Sequence, residues 1–285
     1  MNNNLPEMLS PSIPCTTSPK SIILTGASRG IGLAIARYLL MSGNRVLCIA
    51  RTKEPLEILQ QEFPGQVGIL VGDMKDFQLG AQAVAKAIHD FKCLDGLVIN
   101  HGSLSPIKRL ADSNPTEWRS AYEVNFFSAV ALIQPALPFL RQTKGRIVIT
   151  SSGAAVKPYA TWGAYGSAKA ALNHLVQTLA VEEPLITSIA VRPGVVDTEM
   201  QAEVRGSHKV MDHGDTQRFR KMYLEGQLLR PEQPGDVMAR LILGVGNEFS
   251  GKFLRQVKKM FISNGKRVNE ILRSWDAADL AKFQD

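Results

Sequence analysis

Short apolar runs alternate with longer stretches of helical periodicity along most of the chain. Strand patterns fall at 21–25, 45–50, 67–71, 97–100, 146–150, 187–191 and 249–254, and helix patterns at 33–41, 54–63, 77–91, 116–141, 164–182 and 236–245. In the long pattern at 116–141, Pro135 and Pro138 predict interruptions. Strict alternation of buried strands with helices predicts an α/β protein, a doubly wound parallel sheet of Rossmann type in three α/β/α layers.

The pattern also predicts the domain organisation. With 285 residues, the chain suits one domain or at most two. Residues 1–20 are polar and contain prolines without an apolar signal core, so we expect a disordered tail. Residues 21–254 form the single folded domain. Within it, the polar segment 197–230 follows a strand end, which favours either a lid over a ligand or a solvent loop with a surface helix.

A glycine-rich loop separates the first strand pattern from the first helix pattern. Gly26, Gly30 and Gly32 lie in Gly-Ala-Ser-Arg-Gly-Ile-Gly, and the second strand follows. Such a β–loop–α–β unit of about 30 residues is the context in which this triplet binds a dinucleotide. Gly26 would make the tight turn, Gly30 would admit the pyrophosphate and Gly32 would let the helix pack on the sheet. A purely structural turn is the alternative.

The residues after the second strand indicate which dinucleotide would bind. Recognition of a ribose 2′-hydroxyl needs an acidic residue at this point, whereas a 2′-phosphate needs a cation. Arg51 follows the strand, no acidic residue occurs before Glu54, and Arg29 lies inside the glycine loop. Guanidinium groups bind phosphate through paired hydrogen bonds, so we expect NADP(H) rather than NAD(H). Either arginine could instead be a solvated surface charge.

A tyrosine and a lysine four residues apart supply candidate chemistry. Tyr165 and Lys169 lie one turn apart on one face of the predicted helix at 164–182, and Ser151 and Ser152 follow the strand before it. A nearby ammonium stabilises a phenolate, and a serine hydroxyl could hold the oxygen that exchanges the proton. These groups suit a general acid with its supporting residues, although a surface tyrosine and lysine would give the same short pattern.

Together these motifs resemble the short-chain dehydrogenase/reductase family, in its single-domain branch. The resemblance covers about residues 20–254 and then, after a gap, 274–283. Residues 162–174 and 195–201 look most like fungal members similar to sepiapterin reductase and carbonyl reductases. The resemblance to the family rests on these motifs, which occur in family order: Thr25-Gly26-x-x-x-Gly30-x-Gly32, Asp73, Asn100-x-Gly102, Asn125, Ser152, Tyr165-x-x-x-Lys169 and Pro193-Gly194…Thr198. Two departures occur: His101 replaces the usual alanine of Asn-Ala-Gly, and Ser167 lies one place earlier than in the common form.

The resemblance implies a catalytic tetrad. Tyr165 would protonate the carbonyl oxygen as hydride leaves the nicotinamide. Lys169 would hold the nicotinamide ribose and lower the pKa of Tyr165, and Ser152 would bind the substrate oxygen. Asn125 would bend its helix and hold a water that relays protons to Lys169. Ser151 is expected to be a structural hydroxyl.

The resemblance also implies a set of cofactor contacts. Asp73 would touch the adenine, Ile31 the pyrophosphate region through its backbone, and Thr198 with Val196 the carboxamide. The full expected set is Gly26, Ser28, Arg29, Gly30, Ile31, Gly32, Arg51, Asp73, Asn100, Gly102, Asn125, Tyr165, Lys169, Pro193, Val196 and Thr198. We therefore expect an NADPH-dependent reductase of small ketones or aldehydes that forms a homodimer or homotetramer through its long helices at 115–140 and 164–182.

Two other functions fit parts of the pattern. A non-catalytic NADP(H)-binding regulator or scaffold would need no tetrad. A sugar epimerase or dehydratase of related fold is disfavoured by the glycine spacing and by the lack of room for a large C-terminal substrate domain. Specificity would be set after Ser152 and in 197–230. Tyr159, Trp162 and Met200 suggest a partly aromatic pocket there, although core packing would explain each of them as well.

The net charge of +7 is concentrated near the C-terminus. Residues 252–273 hold seven Lys and Arg against one Glu, which leaves the rest of the chain near neutrality. We therefore expect neither a nucleic-acid nor a membrane partner for the domain.

The segment 255–273 separates the last strand from the tail at 274–285. It is either a basic helix that contacts a partner, nucleic acid or membrane, or an untranslated intron retained in the protein sequence. We favour the intron because the flanks join smoothly without it.

The cysteines and histidines bear on compartment and metals. The chain has three cysteines, an odd number, and they lie far apart: Cys15, Cys48 and Cys93. This pattern predicts a reducing compartment without a disulfide framework, and hence a cytoplasmic protein. The five histidines show no metal-ligand spacing, so we expect no metal site.

Overall fold

Seven parallel strands form one sheet in the computed structural model, which describes residues 19–207 and 210–254. The strands are β1 (Ser21–Thr25), β2 (Arg45–Ala50), β3 (Val67–Val71), β4 (Gly96–Ile99), β5 (Arg146–Thr150), β6 (Thr187–Val191) and β7 (Phe253–Leu254), in the spatial order β3-β2-β1-β4-β5-β6-β7. The predicted doubly wound Rossmann sheet is confirmed. Strand order reverses between β1 and β4, so a ligand cleft is expected at their carboxyl ends.

Helices cover both faces of this sheet. They are α1 (Gly30–Met41), α2 (Glu54–Glu62), α3 (Gln78–Phe91), α4 (Pro115–Tyr122), α5 (Ser128–Thr143), α6 (Gly163–Glu182), α7 (Glu199–Gly206), α8 (His213–Leu224) and α9 (Glu232–Gly244). A π-helical turn, Glu123–Phe127, joins α4 to α5. Side chains alternate between two cores: Ile22 and Leu24 of β1 pack with α1 and α9, whereas Ile23 packs with α3 and α5.

The predicted interruption of the long helix at Pro135 and Pro138 is wrong, since both lie inside α5. Pro135 has no N–H, so the carbonyl of Ala131 lacks its usual helical partner. Gly80 of α3 packs against this carbonyl so closely that a Cβ there would lie 2.4 Å from its oxygen. The helix thus continues through both prolines and packs closely against α3.

The helical run Pro115–Thr143 is the one helix among residues 19–207 and 210–254 whose length and composition would allow it to span a membrane, with a mean hydropathy of 1.3. Its apolar side chains have another explanation, because Leu132, Ile133 and Leu140 are buried in the core between the helices and the sheet.

Three sequence expectations need correction at other points. The last strand covers only Phe253–Leu254, because Asn247–Phe249 forms a 3₁₀ turn instead. Helix α1 begins at Gly30 within the glycine loop and not at residue 33.

The two described cysteines differ in state. Cys48 is a buried free thiol, and burial raises its pKa to about 12. Cys93 is disulfide-bonded. The expectation of no disulfide framework is therefore wrong for Cys93. The expected tail at 1–20, apart from its last two residues, and the segments 255–273 and 274–285 lie outside the described residues.

Candidate active site

A cavity of about 1040 Å³ opens at the carboxyl ends of the strands. Its walls come from the loops after β1 to β6 and from α6, α7 and α8. The predicted site residues that line it are Gly26, Ser28, Arg29, Gly30, Ile31, Arg51, Asp73, Asn100, Gly102, Ser152, Tyr165, Lys169, Pro193, Val196 and Thr198. Gly32 and Asn125 lie behind the lining and support it. The fold thus brings together, in and around one cavity, residues that span more than half of the chain.

The glycine loop is shaped to bring backbone N–H groups to this cavity. Gly32 packs so tightly that a Cβ would lie 1.9 Å from the carbonyl oxygen of Gly26. Any larger residue would push α1 away from the loop. No acidic residue lies in the first turn of α1, and no side chain caps its N-terminus. Free N–H groups and the positive end of the helix dipole suit a phosphate, so the loop fits a dinucleotide.

The two candidate arginines differ in their surroundings. Arg29 forms an ion pair with Glu199 at the start of α7. Arg51 is exposed at the end of β2, and within the described part of the chain it has no ion-pair partner. Lys75, which the sequence analysis did not single out, also lines the cavity and donates a hydrogen bond to Ser120 (2.8 Å). The part of the cavity wall that these residues form therefore carries several positive groups.

Tyr165 and Lys169 lie on the inward face of α6 beside the end of β5. Both are buried, with 6% and 3% of their surface exposed. The Lys169 Nζ lies 5.8 Å from the centre of the Tyr165 ring and donates to the carbonyl oxygen of Thr150 (2.8 Å). The hydroxyls of Tyr165 and Ser152 are hydrogen-bonded. Ser151 instead donates to Asn173 Oδ1 (2.6 Å), which agrees with a structural role.

Burial shifts the pKa values of both groups. It raises the pKa of Tyr165, and the hydrogen bond with Ser152 offsets part of that rise. Burial also lowers the pKa of Lys169 to about 8. The structure therefore does not show the implied lowering of the Tyr165 pKa by Lys169: removal of the phenolate from water raises this pKa, and Ser152 is the group that opposes the rise. Tyr165 holds its proton firmly at neutral pH and is suited to donate it.

Asn125 lies within the π turn and is 2% exposed. Its Nδ2 donates to the carbonyl oxygens of Ala121 (2.9 Å) and Ser103 (3.0 Å), and its Oδ1 accepts the Ser103 N–H (3.0 Å). A Cβ at Gly102 would lie 3.0 Å from Asn125 Oδ1 and 3.4 Å from Lys169 Nζ. Because Gly102 has no side chain, these two polar groups can approach one another, as the predicted relay requires.

The far end of the cavity is aromatic. The Trp162 ring stacks on Phe219 of α8 (centroids 5.9 Å apart), lies 4.8 Å from Tyr159 and meets Tyr165 edge-on at 6.3 Å. Tyr159, Trp162 and Met200 all line the cavity, as the sequence suggested, and so do Leu104, Gln201, Val204 and Phe219, which it did not identify. No local signal marks these four individually. Leu104 comes from the loop after β4, and Gln201, Val204 and Phe219 reach the site through the packing of α7 and α8.

Two polar atoms in this wall are unsatisfied. Trp162 Nε1 and Gln201 Nε2 are buried and have no hydrogen-bond partner in the described structure. Gln201 belongs to α7, and its Oε1 accepts a hydrogen bond from Arg205. Buried donors without partners cost free energy unless a ligand satisfies them. The wall therefore fits a ligand that carries acceptor oxygens as well as apolar surface.

His101 ties this end of β4 to its neighbours. Its Nδ1 lies 2.7 Å from Thr25 Oγ1, and its Nε2 lies 2.8 Å from Ser128 Oγ. Burial, and next the charge of Lys169, lower the pKa of His101 to about 4, against an ordinary value of 6.5. Between pH 4 and 6.5 the unfolded chain therefore binds a proton at this residue that the folded chain does not.

This difference predicts acid destabilisation. As pH falls from 6.5 to 4, the free energy of unfolding should drop by up to about 3 kcal/mol through His101 alone. Urea unfolding at several pH values would measure this drop. His101→Gln has no titrating ring and should lose less stability over the same window. Equal losses in the two proteins would contradict the prediction.

Comparisons with known proteins agree with this architecture. A family model described as short chain dehydrogenase matches residues 20–209. An uncharacterised oxidoreductase of Schizosaccharomyces pombe is 42% identical over 241 residues, which cover 84% of this chain and 96% of that protein. A benzil reductase of Saccharomyces cerevisiae that forms (S)-benzoin is 38% identical over 250 residues, covering 83% and 95%.

Solved structures of related proteins share the fold of this chain. The enzyme KRED1-Pglu is 38% identical, with a TM-score of 0.81 over 83% of this chain and all of that one. A cytoplasmic protein with unknown function from Saccharomyces cerevisiae is 37% identical (TM-score 0.70, covering 83% and 96%). An alcohol dehydrogenase from the archaeon Thermococcus sibiricus, complexed with 5-hydroxy-NADP, is 28% identical (TM-score 0.68, covering 83% and 95%). The chain belongs to the short-chain dehydrogenase family and is an oxidoreductase.

Proposed function

We propose that this protein is an NADPH-dependent reductase of ketones, with Tyr165 as the proton donor. One observation carries the proposal: Tyr165, Ser152 and Lys169 meet in the same cavity that the glycine loop enters. The glycine loop, which suits a phosphate, and the buried Tyr165 thereby line one space. A cofactor that spans this space would bring its reactive ring to the tyrosine.

The residues divide the chemistry among them. NADPH, when bound, supplies the hydride. Ser152 holds the carbonyl oxygen, and Tyr165 donates its proton to that oxygen as negative charge develops there. The ammonium of Lys169 then stabilises the phenolate, and Asn125 supports proton return to Lys169 from water. Tyr165 would keep its proton until the carbonyl demands it, because burial raises its pKa.

The remaining contacts position the cofactor. Lys169 would also hold the nicotinamide ribose. Val196 and Thr198 would hold the carboxamide, and Asp73 would touch the adenine. NADPH is favoured over NADH because Arg51 and Arg29 border the adenosine end and can bind a 2′-phosphate. The complex of the archaeal relative with 5-hydroxy-NADP supports this choice.

The substrate we propose is a bulky aromatic 1,2-diketone. Relatives from Saccharomyces cerevisiae and Bacillus subtilis carry the name benzil reductase. The aromatic wall formed by Tyr159, Trp162 and Phe219 suits aryl groups. While Tyr165 and Ser152 hold one carbonyl, the unpartnered Gln201 Nε2 could donate to the second. The helices α7 and α8 would act as the lid.

The role of Gln201 can be tested by substitution. Gln201→Leu should lower kcat/KM for benzil roughly 5-fold, the effect of one lost hydrogen bond, and lower it less for a ketone with one carbonyl. The exposed Gln217, changed in the same way, serves as the control. Equal losses on both ketones would show that Gln201 does not recognise the second carbonyl.

Assembly and compartment follow as further parts of the proposal. Phe127 and Val130 of the long helical run are exposed apolar residues, which suits pairing of two copies into a homodimer or homotetramer. A cytoplasmic location is supported by the description of the yeast relative as a cytoplasmic protein. The cysteine argument no longer supports it, since Cys93 is disulfide-bonded.

A further inference from the structure

His101 bridges two parts of the active site that no other described side chain joins. The imidazole spans from Thr25, fully buried at the carboxyl end of β1, to Ser128 and Val124 at the π turn. The bridge therefore reaches from the strand beside the glycine loop to the helix that holds Asn125. An alanine at this position, which the family pattern would place there, could make neither contact.

The partners fix which nitrogen carries the proton. The carbonyl oxygen of Val124, 3.1 Å from Nε2, can only accept, so Nε2 carries the hydrogen. Nδ1 then accepts the hydrogen of the Thr25 hydroxyl at 2.7 Å, a shorter contact than the 3.4 Å from that hydroxyl to the carbonyl oxygen of Val98. The Ser128 hydroxyl donates to the same Val124 oxygen at 2.6 Å. A neutral imidazole thus satisfies one group at each end of the bridge.

The π turn creates the need for this contact. In a regular α-helix the Ser128 N–H would donate to Val124, but here it donates to Glu123, one residue further back. The Val124 carbonyl loses that partner and takes up the two side chains instead. His101 therefore stabilises an irregular turn that contains the buried Asn125.

The neighbours of His101 in sequence hold Asn125 from its other side. Gly102 leaves room for Asn125 Oδ1 and Lys169 Nζ to approach, and the backbone of Ser103 bonds both ends of the Asn125 amide. Residues 101–103 thus hold the π turn by its backbone and by its functional side chain. Displacing the turn would change the distance between Asn125 and Lys169.

We propose that His101 is a positioning residue that locks the π turn, and with it Asn125, in register with Lys169. This inference rests on the proposed reductase function for its kinetic consequence, but not for its structural one. His101 would not exchange protons with the substrate. Its contribution would be to the rate of the chemical step and not to cofactor affinity.

Three substitutions at one position test the proposal in the full-length chain. Glutamine places an N–H near the position of Nε2 and can restore the contact with Val124. Asparagine reaches only as far as Nδ1 and can restore only the contact with Thr25. We expect His101→Ala and His101→Asn to lower kcat for benzil roughly 10-fold and to leave the Kd for NADPH within about 2-fold. The kcat of His101→Gln should stay within about 3-fold of that of the protein without substitutions. His89→Ala, at an exposed histidine on α3, is the control.

Hydrogen exchange gives a readout that does not depend on turnover. The Ser103 N–H, which donates to Asn125 Oδ1, should exchange roughly 10-fold faster in His101→Ala than in His101→Gln. Unchanged exchange and unchanged kcat in His101→Ala would overturn the proposal, as would rescue by asparagine equal to that by glutamine. If the protein without any substitution shows no turnover, the reductase function is refuted. The exchange result would still decide the structural role of His101.

Discussion

Replacement of Tyr165 by phenylalanine is expected to lower kcat for ketone reduction by about 10³-fold, because the buried proton donor is removed while the shape of the cavity is kept. NADPH binding should change by no more than about 3-fold, since Lys169 and the glycine loop are intact. Steady-state kinetics and a fluorescence titration with NADPH would measure the two effects. Tyr38→Phe, on α1 outside the cavity, is the matched control.

This substitution also separates the enzyme from the alternative of a non-catalytic regulator. A regulator would show no turnover in the unchanged protein and would bind NADPH equally well in both. Turnover by Tyr165→Phe within about 10-fold of the unchanged protein would show that another group donates the proton. Ser152 would then be the first residue to examine, because its hydroxyl is hydrogen-bonded to that of Tyr165.

Replacement of Arg51 by alanine should weaken NADPH binding roughly 10-fold and leave NADH binding within about 2-fold. Arg51 is exposed and has no ion-pair partner within residues 19–207 and 210–254, so its guanidinium is available for the 2′-phosphate. Charge-assisted hydrogen bonds of this kind contribute about 1.5–3 kcal/mol, and exposure to solvent favours the lower end. Fluorescence titrations with both cofactors at fixed salt concentration would give the two Kd values.

Two further substitutions serve as controls for the Arg51 prediction: one removes another arginine, and one removes the acidic partner of Arg29. Arg37→Ala removes a cation that is paired with Glu62 outside the cavity and should leave both affinities unchanged. Glu199→Gln releases Arg29 from its ion pair and should tighten NADPH binding about 2-fold. If Arg51→Ala weakens NADH and NADPH equally, the arginine does not select the phosphate and the preference for NADPH must be abandoned.

Much of the fold follows from the sequence because the signals are local. Runs such as Ile22–Leu24 and Ile147–Ile149 are buried on both faces of the sheet, so they stand out as continuous apolar segments. Parallel strands place their carboxyl ends at one edge, and this alone brings Asn100, Ser152 and the glycine loop together. The spacing of four between Tyr165 and Lys169 then fixes their common helical face.

The features that the sequence did not reveal depend on distant contacts. Pro135 lies inside a helix, where Gly80 of α3 packs closely against the carbonyl that the proline leaves free. The Tyr165 pKa is raised because the assembled core buries the ring, which spacing alone does not show. Phe219 and Gln201 reach the cavity only through the packing of α7 and α8, whose sequences are polar and weakly periodic.

Oxidation of NADPH by the purified protein with benzil as substrate measures the proposed reductase activity itself. We expect NADPH to be consumed in proportion to a single benzoin product, with NADH a much poorer donor and with the activity lost in Tyr165→Phe. Tight NADPH binding without oxidation in the presence of benzil or other aromatic ketones would rule out the proposed reductase function and favour a cofactor-binding regulator.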